Sequence, residues 1–329
     1  MTGTAAAARH GRVVAGDFRP HPLLSGPHRQ TLANLLRPAP QVEFRRERWE
    51  RPDGDFLDLG HAGTGTGPRV ILLHGLTGGF DSKYLRGLAR QLADANWRCV
   101  LMQFRGAGPE PNRLSRGYHQ GDTGDMRDLV ERFHAEEPGC PLFAVGWSLG
   151  GNVLLKYLGE TGAGNPLAAA VAVSVPFELE PCAERLRTGI SRVYQRKLMA
   201  ALKDGLRRKA QSVQLPISLE AGLAARDFFE FDESVTAPLN GFASARDYYA
   251  RCSSRGFLGR IERPTLIIHS ADDPFMTPQV VPDASELAPS VTLERCESGG
   301  HVGFFASRRG LPYCWLEQRI PGFLQLHAR

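Results

Sequence analysis

Three side chains far apart in this chain are of the types that together turn an alcohol into a nucleophile: Ser148, Asp273 and His301. A serine hydroxyl is a poor nucleophile at neutral pH. It becomes reactive when an imidazole takes its proton and a carboxylate orients that imidazole. Ser148 lies in Gly146-Trp147-Ser148-Leu149-Gly150, a G-x-S-x-G pattern between an apolar strand-like run, Leu142 to Val145, and a helix start. The turn must be sharp, so Gly146 and Gly150 stand where a side chain would collide with a neighbouring element, and Ser148 takes a strained backbone conformation. The Leu149 N–H then heads a helix and points where a substrate oxygen would become negative.

A second donor for that oxygen is expected from Leu76, in the loop His74-Gly75-Leu76-Thr77-Gly78-Gly79. A Gly-rich loop after a strand also suits phosphate, but no Gly-Lys-Ser/Thr is present, and the oxyanion reading is preferred. Asp273 follows an apolar strand in Ser270-Ala271-Asp272-Asp273-Pro274-Phe275, and His301 follows another in Gly299-Gly300-His301-Val302-Gly303. The chain order Ser, Asp, His fits the G-x-S-x-G chemistry. Asp272 is the rival acid; Asp273 is preferred because Pro274 fixes the turn directly after it, while Asp272 is free to be held by backbone N–H groups or solvent. His74 reads as a buttress of the oxyanion loop. His28, His119 and His269 fit no ligand spacing, and no His-Glu-x-x-His occurs, so neither metal nor cofactor is expected.

The elements that must position these groups are short. Val42 to Trp49 and Phe56 to His61 alternate as an antiparallel pair. Buried strands are expected at Arg69 to His74, Trp97 to Phe104, Leu142 to Val145, Ala168 to Val175, Pro264 to His269 and Val291 to Cys296. Helical spacing lies between them, with Asp81 as a cap and Tyr84, Leu85, Leu88, Leu92 and Ala95 on one face. Alternation of this kind predicts an α/β fold, a mostly parallel sheet with helices on both faces, whose strand ends bring the three groups into one crevice. Gly63-Thr64-Gly65-Thr66-Gly67 precedes a strand and reads as a flexible connection.

About 90 residues separate the sixth and seventh expected strands, too many for a structureless loop. They predict a helical lid over residues 177–259, inserted into a core of residues 17–176 and 260–329, with residues 1–16 a disordered tail. Within the lid, Leu186, Ile190, Val193, Tyr194, Leu198, Leu202 and Leu206 form one apolar stripe of a single long helix. Its other face carries Arg185, Arg187, Arg192, Arg196, Lys197, Lys203, Arg207, Arg208 and Lys209. Two readings of that face stand side by side: a solvated surface, and peripheral contact with an anionic head group or membrane. Phe228, Phe229, Phe231, Tyr248 and Tyr249 either line an acyl pocket or form the lid's own core.

Composition sets the outer bounds. The 329 residues are 42% hydrophobic and 23% charged, a globular balance, and a net charge of +5 is too mild to imply nucleic acid. The six cysteines are scattered with no Cys-x-x-Cys, which suits reduced thiols in the cytoplasm. Neither a signal peptide nor a bilayer-spanning run is seen.

A series of motifs resembles the α/β-hydrolase superfamily and, within it, the YheT-like branch that includes the mammalian abhydrolase-domain lipid hydrolases. These are Gly-Pro-His-Arg-Gln-Thr-Leu at 26–32, Leu-His-Gly-Leu-Thr-Gly-Gly at 73–79, Phe-Arg-Gly at 104–106, Pro-Asn-Arg-Leu at 111–114 and Tyr-His-Gln-Gly-Asp at 118–122. Gly-Trp-Ser-Leu-Gly-Gly-Asn at 146–152, Ser-Val-Pro-Phe-Glu-Leu at 174–179, Asp-Asp-Pro-Phe-Met-Thr-Pro at 272–278 and Gly-Gly-His-Val-Gly-Phe at 299–304 complete it. The resemblance implies the α/β-hydrolase fold, with Ser148 as nucleophile, Asp273 as orienting acid and His301 as base. It implies hydrolysis of carboxylic esters of lipid or medium-chain acyl type, through an acyl-enzyme. Alcohol O-acyltransfer by the same residues, and a non-catalytic binding protein on the same scaffold, are the alternatives. Eukaryotic relatives carry an amino-terminal membrane anchor, and none is expected here.

Overall fold

The computed structural model describes residues 9–328. Nine strands make one sheet: β1 (Arg12–Ala15), β2 (Arg45–Glu50), β3 (Phe56–Ala62), β4 (Arg69–Leu73), β5 (Arg98–Gln103), β6 (Leu142–Trp147), β7 (Ala169–Val173), β8 (Thr265–Ser270) and β9 (Val291–Cys296). Their spatial order is β1-β9-β8-β7-β6-β4-β5-β3-β2. Only the β2–β3 and β3–β5 pairings are antiparallel. The α/β expectation holds, as does the antiparallel pair at one edge.

The central strands are almost wholly apolar because both faces are covered. Along β4, Val70 and Leu72 point to one side while Ile71 and Leu73 point to the other. One face packs on α2 (Lys83–Asp94) through Leu85, Leu88 and Leu92, together with the C-terminal helix Leu316–Gln325. The opposite face packs on α3 (Gly124–Glu136) and α4 (Leu149–Thr161) through Met126, Leu129, Val153 and Leu154. The start of α2 differs from expectation: Ser82, not Asp81, occupies the N-cap, and its hydroxyl accepts from the Gly79 N–H at 3.0 Å.

One N-terminal feature departs from the sequence reading and a second goes beyond it. Residues 1–8 of the expected tail lie outside the described residues, but Arg12–Ala15 is not a tail. It pairs in parallel with β9, flanked by Gly11 N–H to Leu287 O and Gly16 N–H to Arg295 O, each 2.8 Å. Four residues with half-exposed valines carry too little pattern to announce a strand; the free edge of β9 supplies the partner. The segment 17–40 contains a true helix, α1 (Pro27–Leu36), started by Pro27 at its first position. Its buried residues are Gln30, Thr31 and Asn34, all polar.

Between β7 and β8 the elements are helical. The expected single long helix is two: α5 (Leu179–Leu186) and α6 (Ser191–Ser212), separated where Gly189 turns at φ +54°. The apolar period runs across the break without a helix beneath it, so Ile190 and Val193 are exposed while Tyr194, Met199 and Leu206 are buried. The basic face breaks up too: Arg187 pairs with Asp227, Arg207 with Asp204, and Lys209 is buried with its ammonium donating to Arg116 O at 2.7 Å. All six cysteines are unpaired, and among the described residues no helix is long and apolar enough to cross a membrane.

Candidate active site

The sharp turn between β6 and α4 holds Ser148 at φ 51°, ψ −119°, a conformation costly for a residue with a side chain. Its neighbours explain the glycines. A Cβ on Gly146 would run into the Gly150 carbonyl, and one on Gly150 would lie 2.5 Å from Leu73 O and 2.6 Å from His74 O. The Ser148 N–H is tied to Val173 O of β7 at 2.8 Å. The turn is thus clamped between the ends of β4 and β7, with Ser148 Oγ facing out from the carboxyl end of the sheet.

There it meets the other two predicted side chains. His301 Nε2 lies 3.0 Å from Ser148 Oγ, and Nδ1 lies 2.8 Å from Asp273 Oδ2. A carboxylate only accepts, so Nδ1 carries the proton and Nε2 is free to accept from the serine hydroxyl. Asp273 is nearly inaccessible, and its second oxygen accepts from the Phe275 N–H at 2.8 Å. Asp272, the rival acid, instead accepts from the Gly300 N–H at 2.9 Å, a backbone role. The Phe275 ring lies flat on the His301 imidazole, 3.9 Å between centroids and 6° between planes, which leaves the ring little room to turn away.

The two expected N–H donors are open. Within the loop after β4, the Gly75 N–H goes to the Tyr84 hydroxyl at 2.8 Å and the Thr77 N–H to the Tyr118 hydroxyl at 3.0 Å. Two tyrosines thereby hold the residues on either side of Leu76, whose own N–H has no protein acceptor among the described residues. Leu149 is the first residue of α4, where the N–H has no acceptor within its helix. His74 is the buttress the sequence suggests. Its Nε2 accepts from the Phe104 N–H at 3.1 Å and its Nδ1 donates to Gly75 O at 2.7 Å, which bridges β5 to the loop. Burial pushes the His74 pKa down to about 4, so the ring is neutral and both bonds persist at neutral pH.

The sequence reading missed what holds His301. The loop carrying it is strained, with Val302 at φ 59° and Phe304 at φ 52°. Val302 donates its N–H to Ser174 Oγ at 3.1 Å, and Ser270 Oγ donates to Gly300 O at 2.7 Å. Helix α1 does the rest. Thr31 Oγ1 accepts from the His301 N–H at 2.9 Å and donates to Pro27 O at 2.8 Å. Gln30 brackets Phe305, taking its N–H at 2.7 Å and donating to its carbonyl at 3.1 Å. The polar buried face of α1 is therefore a clamp on the histidine loop. The signal available in the sequence was a polar stripe at Gln30, Thr31 and Asn34 beside the apolar Leu32, Leu35 and Leu36.

Ser148, His301, Leu76 and Leu149 line one cavity of about 380 Å³. The insertion walls it: Leu179, Leu202, Phe228, Phe231, Tyr248 and Tyr249 contribute. Of the expected aromatic set, Phe228, Phe231, Tyr248 and Tyr249 line the cavity and also belong to the insertion's own core, while Phe229 packs on that core and stays out of the cavity lining. Among the described residues no cluster of three or more His, Cys, Asp or Glu side chains is placed to hold a metal ion.

Comparison with known proteins adds lineage. A family model described as the alpha/beta hydrolase fold matches residues 68–307. The Escherichia coli (strain K12) protein named "Putative esterase YheT" is 43% identical over 319 residues, covering 94% of this chain and 93% of that protein. The Mus musculus protein named Phospholipase ABHD3 is 30% identical over 285 residues, covering 82% of this chain and 69% of that one. Among solved structures, Pyrococcus furiosus esterase Pf2001 matches with a TM-score of 0.57 at 17% identity over 97% of this chain and 100% of that chain, a likeness of fold.

Proposed function

The chain belongs to the α/β-hydrolase family, and from that premise we propose that it is a carboxylic ester hydrolase working through Ser148, His301 and Asp273. The reading is carried by one observation: a hydroxyl, an imidazole and a buried carboxylate in continuous hydrogen-bond contact, 3.0 and 2.8 Å, beside a cavity with two unclaimed backbone N–H groups.

In the first half-reaction His301 Nε2 takes the Ser148 proton as Oγ attacks the ester carbonyl carbon. The carbonyl π pair moves onto oxygen, where the Leu76 and Leu149 N–H groups receive it; each such donor is worth ~3 kcal/mol of barrier. Asp273 stabilises the imidazolium and keeps its orientation. The tetrahedral species collapses, the alcohol leaves with the proton from His301, and an acyl-serine remains. Water then repeats the sequence: His301 accepts its proton, the hydroxide oxygen bonds to the acyl carbon, and the acid departs as Ser148 regains its hydrogen.

The substrate class we favour is a lipid or medium-chain acyl ester. The apolar and aromatic walls of the cavity support it, as does the relative named a phospholipase. We further propose that residues 177–259 act as the lid of a core formed by residues 17–176 and 260–329.

The test is Ser148→Ala on a p-nitrophenyl ester series of graded chain length. Turnover should fall ~10⁴-fold or more, and a fluorophosphonate probe should label the parent protein and not the variant. A near-normal rate for the variant removes Ser148 from the reaction.

A further inference from the structure

Helix α1 is amphipathic the wrong way round. Its buried face is Gln30, Thr31 and Asn34, while Leu32, Leu35 and Leu36 face solvent, Leu36 at 80% exposure. Leu23, just before the helix, is 78% exposed. A solvent-facing helix normally shows the opposite pattern, and the buried clamp on the histidine loop explains only the polar side.

The start of α6 adds to the same surface. His28 Nδ1 lies 3.1 Å from the Tyr194 hydroxyl, and the two rings stack. From that contact two apolar stripes diverge. His28, Leu32 and Leu35/Leu36 follow helical spacing along α1, while Val193 in the first turn of α6 and Ile190 at its N-cap, 60% and 61% exposed, precede Tyr194. Neither segment contains an acidic residue, from Phe18 to Val42 or from Arg185 to Lys203. Arg29, Arg192, Arg196 and Lys197 are exposed and pair with no carboxylate among the described residues. The two segments therefore present exposed apolar and cationic side chains and no acidic residue of their own, and the carboxylate of Glu317 at the end of α1 is neutralised by Arg37.

We propose that this α1–α6 face docks on a lipid surface carrying anionic head groups. Apolar side chains enter the head-group boundary while lysine and arginine meet the anions, the combination that makes peripheral binding stable. A second copy of the chain is a poorer occupant, since a two-fold contact sets this cationic rim against itself. The face is also joined to the cavity. Tyr194 packs on Phe275 at 5.1 Å, and Phe275 stacks on His301 at 3.9 Å, so an aromatic column runs from the surface to the triad. Docking is a property of the surface and does not rest on the ester chemistry.

Binding is measured with the full-length Ser148→Ala protein, by co-sedimentation with vesicles of phosphatidylcholine alone or with about one third phosphatidylglycerol. The anionic vesicles should bind at least ~tenfold more tightly than the neutral ones, with the difference shrinking as salt rises. Leu35→Glu/Leu36→Glu on α1 and Ile190→Ser/Val193→Ser on α6 should each weaken binding ~tenfold or more. The two double variants lie on separate helices, so one that fails to fold leaves the other to decide. The proposal is overturned if the parent protein stays in the supernatant with both vesicles, or if the folded variants bind as the parent does. It is equally overturned if the parent self-associates in solution and either double variant abolishes that association, which would make the face a contact between copies.

Discussion

Thr31 is the most informative residue to change, because it lies outside the three side chains that do the chemistry yet holds one of them. Replacing it by valine keeps the shape and removes one oxygen. That oxygen accepts from the His301 N–H at 2.9 Å and donates to Pro27 O at 2.8 Å. Both Thr31 and His301 are more than nine-tenths buried, so no water is at hand to replace the lost partner. An unsatisfied buried N–H costs about 1–3 kcal/mol. The Pro27 carbonyl sits in the first turn of α1 and keeps its role toward the helix, so its loss is the smaller one. We expect Thr31→Val to lose about 2 kcal/mol of stability in urea unfolding. The loss falls on a loop already strained at Val302 and Phe304. If the whole 2 kcal/mol bears on the placement of His301, kcat/KM on a short p-nitrophenyl ester falls about thirtyfold, which is the upper bound. Thr31→Ser keeps the hydroxyl and should stay within about threefold of the parent. Two results refute the reasoning: a Thr31→Val enzyme with unchanged rate and stability, or a Thr31→Ser enzyme that falls as far as the valine variant.

Acid should destabilise the fold as pH falls below about 6. Burial pushes the pKa of His74 and His269 down to about 4, and burial with neighbouring cations pushes that of His119 down to about 3. Burial also raises Asp232 to about 6, which works in the opposite direction. Between pH 6 and 5 the unfolded chain binds roughly three protons on these imidazoles that the native state does not, and the native state holds roughly one more on Asp232. Counted over these four groups, a net two protons correspond to about 2–3 kcal/mol lost per unit of falling pH, a figure that the burial-raised Asp122 and Asp272 reduce and the burial-lowered His61 increases; urea unfolding at pH 6 and pH 5 measures it, and stability that rises as pH falls contradicts the neutral, buried imidazoles. Gly150→Ala drives a Cβ to 2.5 Å from Leu73 O and 2.6 Å from His74 O, both backbone atoms, and should cost at least ~3 kcal/mol. Gly164→Ala, whose Cβ would meet nothing within 4 Å, should shift stability by ~0.5 kcal/mol or less.

What could be read from the sequence was what local pattern encodes. The buried central strands announce themselves as short apolar runs, because a parallel strand covered on both faces must be apolar throughout. Gly146 and Gly150 mark the turn at Ser148 because the carbonyls that would collide with a Cβ belong to the elements meeting there. Asp273 and His301 follow β8 and β9 directly, and strand ends of a parallel sheet share one edge. The preference for Asp273 over Asp272 was also local. Its neighbour is tied by the backbone to Gly300, while Asp273 turns inward to the imidazole.

What only the tertiary structure decided depends on partners distant along the chain. Strand β1 exists because β9, far along the chain, offers it an open edge. The continuous apolar period from Leu186 onward gave no hint of the turn at Gly189, because a repeat of 3.6 residues does not record whether the backbone beneath it is unbroken. The polar face of α1 looks like a surface in the sequence and is a buried clamp in the fold. Hydrogen bonds to the loop around His301 satisfy Gln30 and Thr31, and a residue's own type cannot reveal a donor that arrives some 270 positions later. The sequence determined which side chains could react and which strands would carry them. The contacts that hold an imidazole within reach of a hydroxyl came from packing, since hydrogen bonds and steric limits act between neighbours in space.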